Sequence, residues 1–209
     1  YPSERWLLSL LTICNKTGAD GVLGPVKPYF QEECPEWIVK GKFCERPSHP
    51  TGTVLNALDA RTGNVLLRRK VLDDPDNRFG AEFGRTGGED IEFFSKVIKK
   101  GYVFVWCDEA PVYEAVPPER WKASYYVKKN VRIGGLTGEK VRKKLLSEQS
   151  IFRVVALNIM YATILPFSML FGKHMLMKCV TKCAYNFAWL AGYCGVVILR
   201  HKVDDTNNL

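Results

Sequence analysis

Residues 86–107, TGGEDIEFFSKVIKKGYVFVWC, change period midway, and that change marks an α/β protein. Ile91, Phe94, Val97 and Ile98 recur at helical spacing, and Gly101 stands where such a helix closes. The compact apolar run over 102–107 then reads as a strand. Glu89 and Asp90 fall on the first helical turn, behind Gly87 and Gly88. Free N–H groups and the helix dipole favour carboxylates there, so capping accounts for both acids. A Gly-Gly pair also lets a ligand come close to the backbone, which suits a catalytic carboxylate. The local pattern leaves both readings open.

Outward from this segment the first 150 residues keep the mixed pattern. ERWLLSLLTICNKTG (4–18) predicts a helix ending at Gly18, and DGVLGPV (20–26) a short strand running into a Gly-Pro turn. Residues 27–52, with prolines at 28, 35, 47 and 50, predict a long loop, and GNVLLRR (63–69) a second strand. CDEAPVYEAVPPER (107–120) leaves the strand at Cys107 and passes Tyr113 and Glu114 before two prolines impose an extended exit. Asp73, Asp74 and Asp76 sit in a polar turn.

The 209 residues carry a formal charge of +8, with 46% hydrophobic and 25% charged residues, an ordinary globular composition rather than a disordered one. The surplus is local. Between positions 122 and 144 eight bases stand against one acid, Glu139, for a net of +7. Lys128, Lys129 and Arg132 lie at helical spacing there, interleaved with Tyr125 and Tyr126. They suit either a solvated face beside a membrane or a clamp for an anionic group such as a diphosphate. Nucleic acid is the weaker partner, because no recognised binding motif accompanies the charge. Seven cysteines without a CxxC pair exclude a zinc-ribbon spacing and argue for a reducing compartment. Tyr at position 1 and no signal-peptide pattern before Trp6 lead to the expectation of a fragment, or a partial reading frame, rather than a complete protein.

The last quarter is different in kind. Residues 154–172 run 19 positions without a charge, and 183–199 run 17 more. A spanning helix takes about 20 such residues, so the first run qualifies and the second is borderline. Lys173, His174, Lys178 and Lys182 separate them. A hairpin through the bilayer, helices lying in its interface and two buried core helices all fit.

In their order along the chain, the segments WLLSL, GADGVLGPVKPYF, GNVLLRR, TGGEDIEFFSKVIKKGY, APVYEAVPPER and YYVKKNVRIGG resemble a family-2 glycosyltransferase. Within that family they resemble the bacterial exopolysaccharide transferases of the succinoglycan-biosynthesis type, from about Trp6 to Gly135. The resemblance implies a partial GT-A-type α/β domain over 1–138, followed over 139–209 by a basic linker and two apolar membrane-associated helices. It implies inverting transfer of a sugar from a nucleotide diphosphate to an acceptor hydroxyl, in exopolysaccharide or lipid-linked glycan synthesis. Asp90 matches the family's general base, and Glu89, Gly87, Gly88, Asn64 and Glu114 match its acceptor side. Arg132, Lys128 and Lys129 match its diphosphate-facing segment. The implied partners are a nucleotide-sugar donor, a glycan or lipid-linked saccharide acceptor and a membrane, at the cytoplasmic face of a bacterial inner membrane. The family's divalent metal, Mg or Mn, sits on an aspartate-rich motif of a donor-binding half that this sequence does not contain, so no metal ligand is expected here. A chain without that half is alternatively a non-catalytic, membrane-anchored module that binds glycan or a partner.

Overall fold

The computed structural model describes residues 1–79, 88–144 and 151–199. The chain divides into two compact units, one of Tyr1–Gln31 and Cys44–Val116, the other of Glu32–Phe43 and Pro117–Leu209. In chain order the first elements are helix α1 (Trp6–Thr17), strands β1 (Gly21–Leu23) and β2 (Val26–Tyr29), helix α2 (Glu36–Gly41) and strand β3 (Val65–Leu67). Helices α3 (Arg69–Asp73) and α4 (Glu89–Lys99) and strands β4 (Phe104–Trp106) and β5 (Val112–Ala115) follow. Helices α5 (Ala123–Arg142), α6 (Ile151–Ser168) and α7 (Lys173–Tyr193) complete the order, with single 3-10 turns at Pro118–Trp121 and Met169–Phe171.

The first unit is built on a sheet of order β3-β1-β4, antiparallel at β3–β1 and parallel at β1–β4. Strands β1 and β4 bury both faces, which is why they are apolar throughout rather than alternating, while β3 at the edge is half-buried. Leu23, Phe104 and Trp106 pack with Phe93, Phe94 and Val97 of α4. Val22, Val105 and Cys107 point the other way and pack with Leu10 and Cys14 of α1. The helix-then-strand reading of residues 89–107 therefore describes the real layering. The short strand expected in 20–26 ends, as read, at Gly24 and Pro25, and β2 beyond that turn pairs in parallel with β5 in a second, two-stranded sheet. Pro25 has no N–H to continue the first ladder.

Asp20 ties the β1 end together. Its carboxylate accepts the Val103 N–H at 2.8 Å and pairs with Lys70 Nζ at 2.5 Å. Burial pushes the carboxyl up, but the Lys70 hydrogen bond, the Val103 N–H and the Arg68 charge together hold it below its ordinary value. A folded pKa below the unfolded one means stability that is present above the unfolded value and lost as pH falls through the folded one. Asp20→Ala is expected to cost about 2–3 kcal/mol and to flatten the acid limb of a stability-versus-pH profile, read by denaturant melts from pH 7 down to pH 3.

The second unit is helical. Within the residues 27–52 expected as loop, 36–41 form α2, because Trp37 finds ring partners in Phe43 at 5.2 Å and Tyr126 at 5.7 Å. Helix α5 runs unbroken past position 138, and the two compact units part at Val116 and Pro117. α5 lies against α7 with almost no space between backbones. A Cβ on Gly134 would stand 2.2 Å from the Tyr185 carbonyl oxygen, and one on Gly138 2.0 Å from that of Trp189.

The first apolar run forms α6 and its following turn, Ile151–Phe171, the one helix among the described residues long and apolar enough to cross a membrane. The second run does not form a helix of its own. α7 begins ten residues earlier, takes in Lys173, Lys178 and Lys182, and stops at Tyr193, ahead of Gly195 at φ +95°. The shift follows from packing, since α7 is held by the face it buries on α5 and not by its hydropathy.

Candidate functional site

The site is built on the first unit. Gly88 caps α4 in the left-handed conformation, φ +100°, which a side chain would strain. Glu89 and Asp90 then occupy the first two helical positions. The Asp90 carboxylate has a partner away from the helix: the Thr62 hydroxyl, in the turn before β3, donates to its Oδ1. Asp90 is thus oriented from outside its own element, and Glu89, half-buried, stands beside it. Gly87 lies outside the described residues.

Asp90 and Thr62 line an open cleft of about 550 Å³. One wall is aromatic, from Tyr1, Trp6 and Tyr113, with Tyr1 stacked on Tyr113 at 5.6 Å between ring centres. Arg46 and Glu114 line it too and pair at 2.7 Å. An open cleft that joins flat aromatic surfaces to carboxylates and a hydroxyl fits a polyhydroxylated ligand, whose ring faces stack while its hydroxyls hydrogen-bond.

The expected residues divide. Asp90 and Glu114 line the cleft. Asn64 stays buried, its amide nitrogen donating to the carbonyls of Pro25 and Ala110 and its oxygen accepting the Trp6 indole N–H at 2.8 Å. It holds a wall residue in place and does not itself line the cleft. Lys128, Lys129 and Arg132 lie on α5 in the second unit, Lys128 exposed and the other two half-buried. Thr62, Arg46 and Trp6 were not foreseen as site residues. Their roles come from partners 28, 68 and 58 positions away in sequence, which no local pattern registers.

The neighbouring acids have other work. Asp108 accepts hydrogen bonds from Ser48 and the Trp106 indole, and Glu109 accepts from Thr51 at 2.5 Å. These bonds hold both carboxyls below their usual range and pin the 44–53 loop. Burial pushes the Cys107 thiol up to about 11, so it is no nucleophile near neutral pH. Asp74 and Asp76 pair with Lys100, and Asp73 with Arg69. Among the described residues no three His, Cys, Asp or Glu side chains are grouped to hold a metal ion. The divalent metal implied by the resemblance has no such ligand set among the described residues.

Over 145 residues the chain is 34% identical to the succinoglycan biosynthesis protein ExoM of Rhizobium meliloti (strain 1021), a match covering 68% of this chain and 45% of that protein. The chain thus spans less than half the length of the curated relative it matches. The similarity ties it to a protein of exopolysaccharide biosynthesis. No family model matches the chain. No solved structure matches it either.

Proposed function

We propose that the chain is the acceptor-side part of a membrane-attached, inverting glycosyltransferase, and that the cleft on its first unit receives the acceptor saccharide. The observation that carries this is the placement of Asp90, at the first turn of α4 and at the edge of an aromatic-lined cleft, with Thr62 holding one oxygen. In the proposed step Asp90 Oδ2 takes the proton of the acceptor hydroxyl as its oxygen bonds to the donor sugar's anomeric carbon. The bond from that carbon to the diphosphate breaks, and the nucleoside diphosphate leaves with its electron pair. A carboxylate suits this because proton removal accompanies attack and need not precede it. Arg132, with Lys128 and Lys129, is proposed to bind diphosphate, Arg being the better bidentate partner for phosphate oxygens. The donor nucleotide and its metal are assigned to a half of the enzyme outside this sequence. α6 supports membrane attachment, and the cytoplasmic face is proposed because nucleotide sugars are made there.

Transfer of labelled sugar from a panel of nucleotide-sugar donors tests the proposal, using membranes that carry the full-length protein and its native lipid acceptors. A labelled glycan and a stoichiometric nucleoside diphosphate are expected. Binding of glycan without turnover for any donor would make the chain a membrane-anchored binding module instead.

Thr62 supplies a finer check. Thr62→Val removes the hydroxyl that orients Asp90 and is expected to lower kcat about tenfold, close to the worth of one hydrogen bond to a charged group. Thr62→Ser keeps the hydroxyl and should restore most of the rate. A loss in Thr62→Ser with Thr62→Val at the wild-type rate would show that Thr62 serves packing alone.

A further inference from the structure

We infer that α6 is an in-plane anchor, sunk along its length in the membrane interface with both its ends on one side of the bilayer. The inference rests on the membrane attachment proposed above and is independent of the glycosyl-transfer chemistry. Helix α6 is inside out. Its covered stripe, at helical spacing, holds Val154, Leu157, Asn158, Tyr161, Leu165 and Ser168. Asn158, Tyr161 and Ser168 are thus turned toward the protein, while Arg153 and Thr163 are exposed. Phe152, Val155, Ile159, Met160, Ile164 and Phe167 are exposed instead. The hydroxyls of Thr163 and Ser168 are spent on carbonyls of the same helix, at 2.8 and 2.6 Å. A helix on an aqueous surface shows the opposite arrangement. The surface wanted by such a face is acyl chain, and the turn that follows continues it, with Leu170 82% exposed.

Charge decides between lying and crossing. α6 packs along α7, whose exposed Lys182 stands nine residues after Lys173 in a helix of 21. A crossing hairpin would carry that ammonium to mid-bilayer, a costly place for it. α5 would have to follow, because Gly134 and Gly138 seat it directly on the α7 backbone, and it brings Lys128, Arg132 and Lys140. With α6 in the plane of the interface, Arg153, Lys173, Lys178 and Lys182 remain at headgroup depth, where anionic lipid attracts them.

The test has two arms, both on the full chain. In the first, flotation is measured with vesicles of phosphatidylcholine and phosphatidylglycerol. The wild type is expected to float, and a doubly substituted Ile159→Glu, Phe167→Glu protein to lose about tenfold of its bound fraction at unchanged helicity. In the second, a specific protease site is inserted after Phe171 and a tag is fused ahead of Tyr1, and sealed vesicles are probed from outside. Cleavage of the site from the tag's side is expected. Cleavage only from the opposite side means that α6 crosses, which overturns the in-plane anchor and leaves membrane attachment standing. Failure of the wild type to float, with a dimer in solution, overturns both, because a second copy then covers the apolar face.

Discussion

Asp90→Asn is expected to lower turnover by a factor of about 10² to 10⁴, the usual worth of a positioned general base. The substitution is chosen because it alters little else. The carboxamide oxygen still accepts the Thr62 hydroxyl, so α4 and the cleft wall keep their geometry. What changes is the second position, where an NH₂ group replaces the oxygen that takes the proton. The loss is therefore expected in kcat, with the KM for acceptor moved only slightly. Glu89→Gln, one residue earlier and half-buried, is expected to act more weakly and through KM. Rates of labelled transfer by membranes holding each full-length variant separate the two. Near-normal turnover in Asp90→Asn would place the base elsewhere and return these acids to capping.

A second large effect is expected in the helical unit. Gly138→Leu would drive a side chain into the α7 backbone, where even a Cβ stands 2.0 Å from the Trp189 carbonyl oxygen and 2.8 Å from the Tyr193 nitrogen. No rotamer relieves contacts made by a Cβ, so the two helices must separate. Trp189, fully buried and stacked on Tyr193 at 5.4 Å, would lose its seat. Overpacking of this kind costs about 3 kcal/mol or more, which corresponds to a fall of roughly 12–24 °C in the melting of a unit this size. Gly135→Ala is the control. Its Cβ would meet nothing closer than 3.6 Å, and alanine is the better helix former. Thermal melts followed by far-UV circular dichroism in detergent should show a large drop for the first variant and little change for the second. Equal melting temperatures would contradict the packing of α5 on α7.

The parts of this molecule legible in its sequence are those governed by local period and by glycine. Residues 89–107 announce α4 and β4 because Phe94, Val97 and the run at 104–106 obey their own geometries without outside help. Gly18 and Gly101, both at positive φ, mark helix ends for the same reason. What stays hidden depends on contacts distant in sequence. α2 is six residues long and owes its fold to aromatic partners at Phe43 and Tyr126. The Thr62–Asp90 and Arg46–Glu114 pairs define much of the cleft, yet each joins segments with no common pattern. Only the fold reveals that the Asn64 amide is consumed by three internal bonds. Hydropathy found α6 and misplaced α7, whose limits are set by a packed face and not by apolar length.

In the proposed step Asp90 acts as a base in a single displacement rather than as a nucleophile in a double one. The anomeric configuration of the first-formed glycosidic bond tests it most directly, read by NMR on product made with a donor of known anomer. A single displacement inverts that centre and two successive displacements retain it. The expected product has the configuration opposite to the donor's, and a product with the donor's own configuration would contradict the role assigned to Asp90.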